Sequence, residues 1–178
     1  GFSDPDNRPV RRLYRTADLF PLYRLLEGSL NTFRIDETGS GDIGPALSAM
    51  LASCEAAGGV IVIPPGEWFT GPVDIPSDTT LRLEKHSVLL FRDDPALYPH
   101  EGTRWEGVEC SGFRPLIRAR DAINVVIEGQ GIIDGNGASW WSLYRNIRNG
   151  TLNPADIPWV REIREHNSSL PQGSGGGG

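Results

Sequence analysis

The stretch Asn124–Trp141, NVVIEGQGIIDGNGASWW, decides the fold because it places two short apolar runs on either side of a tight corner. The runs are Val125–Ile127 and Ile132–Ile133, and the corner is Glu128–Gly131. Short β-branched runs bounded by Gly, Asp or Asn are typical of strands. Because a chain bends this sharply only where side chains are small, the two glycines of the corner predict a strand, a bend and a second strand.

Similar short runs, rich in β-branched side chains, fill the middle of the chain. Gly, Pro, Asp or Asn stands at their borders, and many of the corners between them are only a few residues long. The sequence predicts strands at 60–63, 68–75, 80–83, 87–91, 115–119, 124–128 and 131–134.

The order of these strands favours a parallel arrangement over hairpins. Hairpins usually carry Asn-Gly or Asp-Gly between two strands, and this region has no such dipeptide before Asp134–Gly135. The runs 60–63 and 80–83 are about twenty residues apart, which lies within the repeat range of solenoids. We therefore expect an all-β fold, a parallel β-helix in which each coil of short strands stacks on the one below.

One amphipathic helix precedes the strands, at about Pro45–Ala57. Leu47, Met50, Leu51 and Cys54 recur at helical spacing, and Gly58 with Gly59 ends the run. Asp42 or Gly44 can cap its start, and Pro45 suits a first turn. Because a solenoid needs a terminal cap, we expect this helix to cover the first coil.

The remaining segments flank or interrupt the coils. Residues 1–41 are expected to form an N-terminal arm with a short helix within 17–28, and residues 42–141 the first coils. The polar, Gly-rich segment 92–114 predicts a long loop that leaves the coil and builds one wall of a cleft. Residues 142–178 are expected to hold a helical insertion and a flexible Gly-rich tail, with helices at about 141–148 and 156–166.

Composition excludes several functions. The net charge is −6, and the basic residues are scattered among acids, so no nucleic acid partner is expected. No apolar run approaches the roughly 18 residues of a transmembrane helix, which argues against a membrane partner, and the first residues lack the apolar core of a signal peptide. Two cysteines, Cys54 and Cys110, are expected to be free thiols, and no Cys/His spacing is typical of a zinc site.

Two segments carry a family resemblance. They are GGVIVIPPGEWFTGPVDIPSDTTLRLEKHSVLLFRDDPALYP and RWEGVECSGFRPLIRARDAINVVIEGQGIIDGNGASWW. Together they resemble the N-terminal third or so of the polygalacturonases, family 28 of the glycoside hydrolases. The Pro-Pro-Gly corner at 64–66, LRLEK, LYP and the closing GQGIIDGNGASWW are jointly specific. The likeness covers about 42–141, and the segment to 178 resembles a helical insertion of bacterial members.

This resemblance implies a right-handed parallel β-helix that is incomplete at its C-terminal end. It also implies hydrolysis of α-1,4-galacturonosyl links with inversion, with a pectic polysaccharide or oligogalacturonate as partner. No cofactor and no metal are expected. A secreted or periplasmic location would suit that substrate.

The catalytic motifs of the family are not present in the sequence. Those motifs are Asn-Thr-Asp, an Asp-Asp pair, Gly-His-Gly and Arg-Ile-Lys, and the one Asp-Asp pair, Asp93–Asp94, stands where the family has a surface turn. We therefore assign no catalytic residue here and expect the catalytic coils beyond residue 178, so that this chain alone is inactive. The remaining part of its own β-helix is then the expected partner.

Three residues of the long loop are candidates for substrate binding. Arg104, Trp105 and Glu106 offer a cation and an aromatic plate, which suit an acidic sugar; the alternative, which the residues alone favour, is a loop packed by its Trp. An alternative function is a non-catalytic β-helix module that binds an acidic polysaccharide or a partner chain. A β-helix lyase fits less well, because the sequence has no acidic cluster for Ca²⁺.

Overall fold

The computed structural model describes residues 23–25, 31–35 and 39–170, which fall into two compact units. Of the described residues, those up to 92 and 117–135 belong to the first unit, and 93–116 and 136–170 belong to the second. The division predicted at residues 41/42 and 141/142 stays a prediction.

The first unit is made of short strands and one helix. Its elements are β1 (Tyr23–Leu25), β2 (Thr32–Ile35), β3 (Gly39–Asp42), α1 (Gly44–Cys54), β4 (Gly59–Ile63), β5 (Gly66–Thr70), β6 (Val73–Asp74), β7 (Thr79–Leu83), β8 (Ser87–Phe91), β11 (Ile117–Arg118), β12 (Val126–Gly129) and β13 (Ile132–Asp134).

The second unit holds a hairpin and two helices. Its elements are a 3₁₀ turn (Pro95–Leu97), β9 (His100–Trp105), β10 (Val108–Phe113), α2 (Ala138–Arg148), a second 3₁₀ turn (Pro154–Asp156) and α3 (Pro158–Ser169).

The strands of the first unit form three parallel ladders. One has the order β2-β4-β7-β12, the second β3-β5-β8-β13, and the third pairs β6 with β11. Successive strands along the chain lie in different ladders, so each short corner moves the chain from one ladder to the next. Only β1 departs from this pattern among the described strands of the unit, since it pairs antiparallel with β2.

The register confirms the predicted spacing. Val60 pairs with Thr80 and Ile63 with Leu83, which is the twenty-residue offset read from the sequence. The alternation of β7 and β8 is regular, with every second side chain buried. Inward residues therefore form columns across a ladder. One column is Ile61, Leu81 and Ile127, and another is Trp68, Leu89 and Ile133.

Helix α1 covers one end of the ladders. It packs against β2, β4, β5 and β6, and its buried side chains are Ala46, Leu47, Met50, Leu51 and Cys54. An oxygen of the Asp42 carboxylate accepts the N–H of Gly44 at 3.0 Å, so Asp42 satisfies a donor of the first turn. The predicted helix is confirmed, although it ends at Cys54 rather than near Ala57, and its role as the cap of a solenoid stays a prediction.

The corner after β12 requires glycine. Gly129 has φ +118°, and a methyl group there would overlap the backbone carbonyl of Leu83 in the neighbouring strand. At Gly131 a methyl group would overlap the side chain of Ser87. The close approach of neighbouring parallel strands explains the two glycines from which the fold was predicted.

Other details of the sequence prediction are wrong or incomplete. The helix predicted within 17–28 is contradicted at Tyr23–Leu25, which is strand β1, because pairing with β2 outweighs the local apolar pattern. The rest of that segment lies outside the described residues. The single strand predicted at 68–75 is two strands, β5 and β6, separated at Gly71–Pro72, where proline has no N–H to donate.

The segment 92–114, expected to be a loop, forms the antiparallel hairpin of β9 and β10. The predicted helices near 141–148 and 156–166 are confirmed as α2 and α3, each with shifted ends. Asn167 of α3 binds the hairpin, because its side-chain oxygen accepts the N–H of Ser111 at 2.5 Å and its amide donates to the Ser111 carbonyl at 3.1 Å. The predicted loop and the predicted insertion thus belong to one packed unit.

An aromatic cluster joins the hairpin of the second unit to its two helices. The ring of Phe113 lies 4.8 Å from His100, 5.4 Å from Trp140 and 4.9 Å from Trp159, measured between centroids. Trp140 of α2 is half-buried against Phe113, whereas the next residue, Trp141, is 64% exposed and packs on the ring of Tyr144.

Candidate substrate-binding hairpin

The three residues predicted to bind substrate lie together at the tip of the β9–β10 hairpin. Trp105 pairs with Val108, and the connecting residues Glu106 and Gly107 have φ of +49° and +87°. Two consecutive positive φ values are typical of a type I′ turn, whose twist suits a two-residue hairpin. The turn dipeptide is Glu-Gly rather than Asn-Gly or Asp-Gly, which is why the sequence did not predict a hairpin.

Arg104 is held within the hairpin. Its guanidinium Nε lies 2.8 Å from a carboxylate oxygen of Glu109, its cross-strand partner, and a terminal nitrogen donates to the Gly107 carbonyl at 3.2 Å. The side chains of Arg104 and Glu109 are 67% and 70% exposed. An ion pair this exposed contributes at most about 1 kcal/mol. The cation is therefore pre-oriented but available to a stronger anionic partner.

Arg104 also lines a concavity of about 550 Å³ beside the hairpin. Its other lining residues are Thr103, Cys110, Ser111, Gly112, Phe113 and Asn167. A cation, a threonine hydroxyl and an aromatic ring around one concavity are groups that can bind an acidic sugar. Glu106 is exposed at the turn, and Trp105 ends β9.

Asp93 and Asp94 lie on the surface before a 3₁₀ turn, and Asp134 ends a strand. Asp93 and Asp94 are exposed, and the Asp94 carboxylate accepts the N–H of Ala96 at 3.0 Å as the N-cap of the 3₁₀ turn. The prediction that this pair is a surface turn is confirmed. Asp134 is the last residue of β13, where its Cα lies opposite that of Leu90.

No group of three or more His, Cys, Asp or Glu side chains suitable for a metal occurs in the described residues. Both cysteines are free thiols, as predicted. Burial raises the pKa of the Cys54 thiol, and a hydrogen bond with Thr79 opposes this in part. Across 23–25, 31–35 and 39–170, no helix combines the length and the apolar character needed to cross a membrane.

A bidentate ion pair of the first unit joins Arg34 of β2 to Glu84, the residue after β7. Two nitrogens of Arg34 bind the two carboxylate oxygens of Glu84 at 2.6 and 2.7 Å. These hydrogen bonds lower the pKa of Glu84, and its partial burial opposes them. Arg82 and Glu128 form a second pair, at 2.6 Å, between β7 and β12.

Comparison with known proteins supports the resemblance read from the sequence. The chain is 29% identical over 105 residues to a probable polygalacturonase of Vitis vinifera. The match covers 56% of this chain and 21% of that protein, so the chain spans about a fifth of the relative's length. No protein-family model matches the chain.

Two solved structures are similar. A hyperthermoactive exopolygalacturonase from Thermotoga maritima matches 88% of this chain and 38% of its own, with a TM-score of 0.59 and 23% identity. A family 28 exopolygalacturonase from Yersinia enterocolitica matches 53% of this chain and 18% of its own, with a TM-score of 0.48 and 29% identity. At 23% identity, the similarity to the Thermotoga maritima structure concerns the fold alone. The predicted polygalacturonase-like character of part of the chain is confirmed.

Proposed function

We propose that the chain supplies the first coils of a right-handed parallel β-helix in a glycoside hydrolase that cleaves α-1,4-galacturonosyl links of pectin with inversion. The alignment of 105 residues with a probable polygalacturonase carries the proposal. The parallel ladders, with α1 over one end, support the architecture. The pectic substrate is inferred from the similarity to that probable polygalacturonase.

Catalysis would require residues outside this sequence. Inversion needs a carboxylic acid and a carboxylate roughly 6.5–9.5 Å apart, one to protonate the leaving oxygen and one to activate water. The family motifs that would supply these groups are absent from the 178 residues. In this proposal the acid and base stand on further strands that stack on β12 and β13, whose inward residues Ile127 and Ile133 are exposed here.

Activity of the purified chain tests this division of roles. We expect the 178-residue chain to release no reducing ends from polygalacturonate, whereas the complete product of its gene does so. Hydrolysis by the 178-residue chain would refute the assignment of catalysis to other residues. A complete product that contains the motifs but does not cleave polygalacturonate would refute the substrate.

Within the second unit, Arg104 is proposed to bind a carboxylate of the substrate, with Trp105 and Glu106 beside it. The proposal is supported by the pre-oriented guanidinium, whose present partner Glu109 is exposed and exchangeable. Arg104→Gln should weaken binding of a galacturonate trimer about fivefold, since one exposed charged contact is lost. Glu109→Gln should strengthen it, because the substrate no longer competes with the Glu109 carboxylate.

Titration calorimetry measures both effects. Arg148→Gln is the matched control, because Arg148 is an exposed cation at the end of α2 and does not line the concavity. Equal weakening by Arg104→Gln and Arg148→Gln would show only a general charge effect. Unchanged affinity in Arg104→Gln would remove this residue from the site.

The second candidate function is a non-catalytic module that binds an acidic polysaccharide or a partner chain. The absence of the catalytic motifs favours it. The two candidate functions predict different gene sequences after residue 178. A reading frame that continues into Asn-Thr-Asp and Gly-His-Gly motifs supports the hydrolase, and a stop codon after residue 178 supports the module.

A further inference from the structure

A second concavity in the second unit, of about 420 Å³, lies where the hairpin base, the first 3₁₀ turn and the start of α3 meet. This volume is within the range of small-molecule sites. The residues around it are Pro95, Ala96, Tyr98, Pro99, His100, Phe113, Pro158, Trp159 and Glu162.

One side of this concavity is an aromatic wall held in place from behind. Trp159 packs on Phe113 at 4.9 Å and on Trp140 at 5.8 Å, so the indole is fixed by two rings. A fixed indole presents a large surface at little cost in side-chain entropy. The C–H groups of a pyranose ring can pack on such a surface.

Two polar side chains, His100 and Glu162, also line the concavity. Neither makes a side-chain hydrogen bond within the described residues, although the His100 ring contacts Phe113 at 4.8 Å. The Glu162 carboxylate can accept hydrogen bonds from two hydroxyl groups, and an imidazole can donate one and accept another. An aromatic surface flanked by these groups matches a ring that carries several hydroxyls.

The charge of the site selects among such ligands. Glu162 is the one Asp, Glu, Lys or Arg among the residues that line the concavity. A carboxylate on the ligand would lie against this anion with no Lys or Arg side chain in the lining to offset it. A quaternary ammonium cage would need several open aromatic faces, but Tyr98 is buried and Phe113 is packed by three rings.

We infer that this concavity binds a neutral pyranose ring. The two proposed sites differ in charge: this concavity is lined by the Glu162 carboxylate, whereas the one beside the hairpin is lined by the Arg104 guanidinium. The inference does not depend on the proposed hydrolase activity, because it follows from the lining residues alone.

The test compares two sugars that differ only at C6, D-galactose and D-galacturonate. The ¹⁵N-labelled 178-residue chain is titrated with each, and the indole N–H signal of Trp159 is followed. D-Galactose should move this signal with a dissociation constant on the order of a millimolar, as expected for a ligand of this size. D-Galacturonate should bind at least about tenfold more weakly.

Glu162→Gln examines the cause of the selectivity. The variant keeps the shape of the side chain but removes its charge, so the difference between the two sugars should shrink to about threefold or less. Glu165→Gln, an exposed position of α3 that does not line the concavity, should retain the selectivity. Selectivity that persists in Glu162→Gln would overturn the role of this carboxylate.

Three results in the unmodified chain would overturn the inference itself. They are the absence of any Trp159 shift with D-galactose, equal or stronger binding of D-galacturonate, and tighter binding of choline than of D-galactose.

Discussion

The interior strands of the ladders and the last strands, β12 and β13, differ in burial, although the inward side chains of both are apolar. In one column, Ile61 and Leu81 are 0% and 1% exposed, whereas their register partner Ile127 is 45% exposed. In another, Trp68 and Leu89 are fully buried, but Ile133 is 40% exposed. All of these side chains are inward residues of parallel strands.

The difference teaches that burial in this architecture comes from the neighbouring strand and not from the residue itself. At one end α1 supplies the cover, and its Leu47, Met50 and Cys54 are fully buried. At the other end β12 and β13 are the last strands of their ladders within the described residues. The same apolar side chain therefore contributes much more to stability on an interior strand or under α1 than at the open end.

The largest expected difference in unfolding free energy comes from truncating two side chains of the same column. Leu89→Ala should lower the free energy of unfolding by about 2–5 kcal/mol, because it leaves a cavity beside Trp68. Ile133→Ala should cost less than half of that, since much of its side chain already contacts water. Urea unfolding of the two variants measures the difference. Equal costs would mean that Ile133 is buried in solution and that the open end is covered.

A second test changes the corner between β12 and β13. Gly129→Ala should lower the free energy of unfolding by about 1–3 kcal/mol, because the residue has a positive φ and no space for a methyl group beside Leu83. Gly102→Ala is the control, since a methyl group there has no atom within 4 Å. Its effect should stay within about 0.5 kcal/mol. Similar stabilities of the two variants would show that Gly129 does not lie this close to Leu83 of the neighbouring strand.

The smallest effect concerns the ion pairs of the first ladder. The pKa of Glu84 is lowered in the folded chain by Arg34, so this pair stabilises the fold above the unfolded pKa of Glu, near pH 4.3. That stability is lost as the pH falls through the folded pKa. The side chains are about a third exposed, so the contribution is at most about 1 kcal/mol.

Glu84→Gln should therefore lower stability at pH 7 and leave it nearly unchanged at pH 3, as measured by urea unfolding. Glu128→Gln, at the open end, removes the more exposed pair with Arg82 and should cost less at pH 7. A Glu84→Gln deficit that persists undiminished at pH 3 would exclude the carboxylate charge as its cause.

The sequence predicted the strands whose apolar residues alternate or cluster, and it predicted their register through one repeat. It did not predict β3, Gly39–Asp42, because this segment has no side-chain pattern and forms a strand only by pairing with β5. Strand β2 lay within the predicted arm for a similar reason, since its pairing with β4 depends on distant residues. Such strands are determined by tertiary contacts rather than by local propensity.

The two candidate sites also differ in how much of each could be predicted from the sequence. Arg104, Trp105 and Glu106 are adjacent in sequence, so their proximity could be predicted, but the Glu109 partner depends on an unexpected hairpin register. The second concavity joins His100, Phe113 and Trp159 from separate segments. No spacing in the sequence signals that combination, because it depends on how α3 packs against β10.

Hydrogen exchange of the backbone amides in β7 and β12 tests the central claim most directly. A strand between two parallel neighbours directs alternate amides to either side, so every amide of β7 should be protected between β4 and β12. In β12 only every second amide faces β7, and the others should exchange at close to the intrinsic rate. Continuous protection along β12, equal to that of β7, would contradict an open end to the ladders.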